Sequence, residues 1–164
     1  MIVLKNILVA TDFSEASEAA LTYGRDLARS YGGTMHVVHV VESFAGSMAD
    51  AESIGVLLDL QTQIERNERK FLETLLTDED RTMLHAKPVV LASTRAAEGI
   101  VQYAKDSAID LIVMGTHGRR ALAHVFLGSV AERVVRTAPC PVLTVRHPER
   151  EFVVPDALVA VAKS

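Results

Sequence analysis

Apolar residues run along this chain in two alternating rhythms. Lys5–Asp12 (KNILVATD) is a short, nearly unbroken apolar run with a polar exit, the pattern of a central parallel strand covered on both faces. Ser14 then stands as the N-cap of a helix whose first turn places Glu15 and Glu18 against the dipole. Ala16, Ala19, Ala20, Tyr23 and Leu27 follow at helical spacing, and Gly32-Gly33 stops the run. Met35–Val41 (MHVVHVV) reads as a second strand.

The alternation repeats beyond a less regular stretch. Ser43–Gly55 has little periodicity and predicts a loop. From Val56 the pattern predicts a long helix with Leu57, Leu60, Ile64, Phe71 and Leu75 close to one face, and the charge-rich QTQIERNERKFLE supplies its solvated side. Lys87–Ala92 is a third strand, with Pro88 at its start or on a sheet edge. Thr94–Ser107 is a helix with Ala97, Ile100, Val101 and Ala104 inward. Asp110–Met114, Ser129–Thr137 and Pro141–Val145 read as strand, helix and strand. Strands alternating with helices predict an α/β fold: a single doubly wound parallel sheet with helices on both faces and right-handed crossovers. After Arg146, residues 147–164 form a tail, HPERE then FVVPDALVAVA, too apolar to float freely and expected to pack on the body or a partner subunit.

Composition narrows the function classes. The chain has 164 residues, 49% hydrophobic and 23% charged, enough for one domain that buries roughly two-thirds of its unfolded surface. A net charge of −4 argues against broad binding to nucleic acid or anionic membrane. No run approaches the roughly 18 apolar residues of a membrane span. The single cysteine, Cys140, excludes an intramolecular disulfide and fits a reducing cytoplasm. His36 and His39 lie three apart on a strand and so face opposite sides, a poor pair of metal ligands.

Candidate chemistry concentrates in Leu111–Val135 (LIVMGTHGRRALAHVFLGSVAERVV). An apolar strand feeds a loop punctuated by Gly115, Gly118 and Gly128, with Ser129 opening the following helix. Glycines let backbone N–H groups approach a phosphate closely, and a helix N-terminus adds unpaired donors and partial positive charge. The spacing is neither the Walker pattern nor G-x-G-x-x-G. In a doubly wound sheet the ligand crevice opens at the carboxyl ends of the strands, where strand order reverses. That places Ala10-Thr11-Asp12 beside Met114-Gly115. Asp12 could equally serve the turn into the first helix, and Ser129 could cap its own helix.

Gly115, Gly118, Gly128 and Ser129 match without a gap the G-2x-G-9x-G-(S/T) loop of the universal stress proteins, which bind ATP through it. The resemblance extends to ILVATDFSEASEAAL, HVVHVVE, DLIVMGTHGR and LGSVAERVVRTAPCPVLTVR, most of residues 1–146. It implies a Rossmann-like five-stranded sheet of order 3-2-1-4-5 and a homodimer through strand Val142–Val145. It also implies an ATP or ADP pocket, with any Mg or Mn held by the phosphates. Ala10, Thr11 and Asp12 would lie near adenine and ribose, with Val40 against the base. Met114 and Gly115 would flank the ribose and first phosphate, and His117, Gly118, Gly128, Ser129, Val130 and Ala131 would surround the phosphates. Ala131 replaces a hydroxyl found in other members, and Ala92-Ser93-Thr94-Arg95 replaces a Gly-Asp-Pro type of turn. Arg119 and Arg120 either screen phosphate charge or are solvated, and His124 reads as a surface residue. The loop carries no Walker lysine, and no carboxylate pair is evident for metal and base work, so binding is better supported than turnover. The expected role is a nucleotide-dependent sensor or regulator in a stress response. A slow ATP hydrolase and a nucleotide-free dimeric interaction module are the alternatives.

Overall fold

The computed structural model of the chain describes residues 1–44, 51–116 and 127–147. Five strands, β1 (Asn6–Ala10), β2 (Thr34–Glu42), β3 (Lys87–Ser93), β4 (Leu111–Gly115) and β5 (Val142–Val145), form one sheet of order β3-β2-β1-β4-β5. Every pairing is parallel. Pro88 lies in β3, an edge strand, where a missing N–H costs no ladder bond.

Alternate residues of the central strands feed two cores. Ile7, Val9, Met35 and Val37 pack with Ala20, Leu21 and Ala28 of α1 (Glu15–Tyr31) and with Leu72 of α2 (Ala51–Thr74). Leu8, Ala10 and Val38 face α4 (Ala96–Asp106) and α5 (Ser129–Thr137). The four inward positions expected on α4, Ala97, Ile100, Val101 and Ala104, are all buried. Each end of α1 has a chemical cause. Ser14 Oγ accepts from the Ser17 N–H, and Gly32 takes the left-handed conformation at φ 66° that closes the helix.

The second helix departs from expectation. It begins at Ala51, not Val56, so Ala51–Gly55 are helical; residues 45–50 of the expected loop lie outside the described residues. Its expected face holds in part: Leu57 and Ile64 are half-buried and Leu75, just past its end, packs against the core, but Leu60 and Phe71 are exposed and Leu72 makes the deepest contact. Periodicity over a helix with scattered apolar residues leaves its buried face ambiguous, and the packing against β2 and β3 chooses it. A short helix α3 (Asp78–Met83), unexpected from the sequence, follows at a Thr77/Asp80 capping box. Asp80 is buried and accepts a bidentate pair of hydrogen bonds from Arg25, Nε to Oδ1 (2.9 Å) and Nη2 to Oδ2 (2.9 Å), tying α3 to α1. The α4 helix also starts two residues later than the pattern suggests, because Ser93 Oγ donates to the Arg95 carbonyl and Arg95 takes an extended N-cap conformation.

Candidate functional site

β1 is the switch strand: the chain leaves it toward β2 and β3, then returns to place β4 on its other side. Ala10 is therefore registered against Met114, the juxtaposition expected from the sequence. Above these strand ends lies a crevice of about 400 Å³, within the range of small-molecule sites. Ala10, Thr11 and Asp12 line one side. Met114, Gly115 and Gly128 line another, and Ser129, Val130 and Ala131 form the first turn of α5 at its edge. Val40 lines it from β2. His117 and Gly118 lie outside the described residues, as do Arg119, Arg120, His124 and the tail from residue 148.

The floor is apolar, built from Ala10, Val38, Val40, Ile100 and Met114. Such a slot suits a flat heterocycle, which loses little hydration when covered. Polar groups gather at the rim. Gly128 Cα caps α5 with no side-chain hydrogen bond to the helix amides. Ser129 is therefore the first helical residue and not its cap, correcting that sequence alternative. Glycine at the cap supplies no side-chain acceptor to the first-turn N–H donors beside the crevice, where an anion is stabilised. Among the described residues, no lysine or arginine lines the crevice.

The turn after β1 is held by a relay of short hydrogen bonds. The Phe13 N–H donates to Thr11 Oγ1 (3.0 Å), and Thr11 Oγ1 lies 3.1 Å from Ser17 Oγ. Ser17 Oγ donates to the Ser14 carbonyl (2.8 Å), so the Thr11 hydroxyl is the donor within its pair. Asp12 Oδ1 accepts from Ser14 N (3.2 Å) and Ser14 Oγ (2.6 Å). Asp12 thus performs the turn role while also lining the crevice. Phe13 completes the bend at φ 64°, a left-handed conformation unusual for an aromatic residue.

Six further lining residues, Ser17, Val38, His39, Ala96, Ile100 and Thr116, were not among the expected site residues. Thr116 directly follows Gly115, and its N–H donates to the Val145 carbonyl, so extending the strand by one residue could have found it. Ser17 and His39 carry no sequence signal because they reach the crevice only through the turn. His36 and His39 do face opposite sides of β2: His36 Nδ1 meets the Tyr103 hydroxyl of α4 at 2.8 Å, and His39 lies over Phe13.

A sequence model of the universal stress protein family matches residues 4–146. A universal stress protein of Methanocaldococcus jannaschii is 34% identical over 152 residues, covering 90% of this chain and 85% of the relative. The solved universal stress protein UspA of Lactobacillus plantarum superposes with a TM-score of 0.66 at 27% identity, covering 89% of this chain and all (100%) of the other. A universal stress protein of Archaeoglobus fulgidus, solved in complex with dAMP, shares the fold at a TM-score of 0.53 and 21% identity, covering 88% and 99% of the two chains.

Proposed function

This chain belongs to the universal stress protein family, and from that premise we propose that it binds an adenine nucleotide, ATP or ADP, in the crevice above β1 and β4. The observation that carries this reading is the pairing of an apolar slot with the α5 N-terminus, whose glycine cap and first-turn residues Ser129, Val130 and Ala131 line the same crevice. The base lies against Val40 and the floor, Asp12 serves the ribose, and Gly128, Ser129, Val130 and Ala131 receive the phosphates. Gly115, and with it His117 and Gly118 of the glycine-rich loop, completes the set. The dAMP complex of the Archaeoglobus relative supports the nucleotide class. Any Mg or Mn arrives with the phosphates.

The protein acts as a cytoplasmic nucleotide-dependent regulator of a stress response. Occupancy orders the rim of the crevice, and the two nucleotide states differ in the surface they present to partners, which requires different affinities for two conformations. A homodimer forms through β5 (Val142–Val145), whose outer side pairs with no strand among the described residues. The test is mass spectrometry of small molecules released from freshly purified protein, followed by calorimetric titration with ATP and ADP. Recovered or bound adenine nucleotide supports the reading. An empty protein that ignores both nucleotides overturns it. Sedimentation that shows only monomer at micromolar concentration overturns the dimer.

A further inference from the structure

On the α1/α2 side of β2, the strand presents Met35, Val37, His39 and Val41, and His39 is the polar member of that series. It is 8% exposed. Its Nδ1 lies 2.8 Å from the Thr11 carbonyl oxygen. A carbonyl only accepts, so Nδ1 carries the proton. The contact replaces a ladder bond. The Thr11 N–H still pairs with the Val38 carbonyl, but the chain then bends away at Phe13, and the Thr11 carbonyl finds an imidazole where a longer strand would offer an amide. The ring Nε2 lies 3.7 Å from Glu68 Oε2 on α2, beyond hydrogen-bond distance, and ring packing holds the imidazole in place. Its face meets the Phe13 ring at a centroid distance of 4.4 Å, and Phe13 in turn meets Phe71 of α2 at 4.6 Å.

We propose that His39 is a positioning residue for the crevice: packed against the Phe13 ring, its Nδ1–H holds the Thr11 carbonyl and thereby sets the Thr11–Asp12 turn that receives the ligand. The inference rests on the nucleotide reading and assigns to α2 a mechanical link with the site, through Phe71, which packs on Phe13. A hydrophobic residue at position 39 would fill the space but leave the Thr11 carbonyl without its donor.

The experiment compares wild type with His39→Asn and His39→Leu, each first shown to be folded by thermal unfolding. Asparagine can place an amide N–H near the Nδ1 position; leucine cannot. ATP titration is expected to show His39→Asn within about threefold of wild type and His39→Leu weakened about tenfold, the loss of one buried hydrogen bond. Equal losses in the asparagine and leucine variants overturn the proposal. Imidazole ¹⁵N shifts of the ligand-free protein give an independent readout. A protonated Nδ1 at His39 supports the link, and an unprotonated one overturns it even if no nucleotide binds. A wild type that binds no nucleotide overturns the proposed function instead, so the two failures are distinguishable.

Discussion

The backbone of Ala16 passes so close to Gly115 that a Cβ on Gly115 would lie 3.0 Å from the Ala16 carbonyl carbon, its oxygen and its Cβ. The end of β4 and the first turn of α1 are thereby locked together at the crevice. Gly115→Ala must displace one of them, and neither is a flexible side-chain tip. The expected result is a loss of about 1–3 kcal/mol of stability, together with about tenfold weaker ATP binding as the Gly115 rim shifts. Denaturant titration and calorimetry measure the two effects. Unchanged affinity would show that the close approach serves packing alone.

Gly24 supplies a contrasting case away from the crevice. A Cβ there would overlap Val9 Cγ2 in the core between α1 and β1. Gly24→Ala is expected to cost about 1–3 kcal/mol through overpacking. Adding Val9→Ala should recover part of that loss, because the colliding methyl is gone. Chemical denaturation of the single and double variants checks the sign of the coupling.

Asp80 links α3 to α1 and gives the fold an acid-sensitive point. Burial raises its pKa, but hydrogen bonds from Arg25 and Thr77 and the Arg25 charge outweigh it, leaving the carboxyl below its ordinary 3.8. The unfolded chain therefore takes up this proton first as pH falls. The contribution is full above about 3.8 and is lost as pH drops through the lower folded value. Asp80→Asn should remove that component of acid sensitivity and cost about 3 kcal/mol at neutral pH, since Arg25 loses its ionic partner. Urea unfolding as a function of pH, compared with wild type, tests both expectations.

His36 is buried at 4% exposure, and burial, followed by the Lys87 charge, lowers its pKa from 6.5 to about 4. Its Nε2 has no hydrogen-bond partner among the described residues. The folded state holds the ring neutral while the unfolded chain protonates it, so stability is full above 6.5 and declines as pH falls toward 4. The decline attributable to His36 is about 3 kcal/mol. His36→Phe should flatten the stability profile across that window. A profile with wild-type slope in the variant would assign the pH dependence elsewhere.

Cys140 is expected to react slowly with thiol reagents at neutral pH. Burial raises its pKa and the Asp110 charge raises it further, against a smaller opposing hydrogen bond from Ile112. Only the thiolate attacks, and little is present. Alkylation of native protein at the rate of a free thiol would contradict this environment.

The elements of this fold were largely legible because most are written locally. NILVA and LIVMG are apolar enough to predict strands covered on both faces, and Ser14 and Gly32 mark the ends of α1 by their own conformational preferences. The glycine spacing after β4 and the helix it opens carried the candidate site, the switch-point geometry of a doubly wound sheet placed Ala10–Asp12 opposite it, and the order of the strands came from the family resemblance. Where the pattern was weak, as on α2, the sequence misplaced the start of the helix and two residues of its buried face, Leu60 and Phe71.

What the sequence alone determined is the alternation of strands and helices and the glycine punctuation that marks the crevice rim; these depend on backbone propensity and on residues close in the chain. Only the tertiary structure decided that His39 would reach the Thr11 carbonyl, 28 positions away, that Arg25 would find Asp80, 55 positions away, and that Ala16 would crowd Gly115. Such contacts arise when separate elements dock, and their geometry is fixed by packing in three dimensions. No local pattern of apolar and polar residues encodes which two distant side chains will meet.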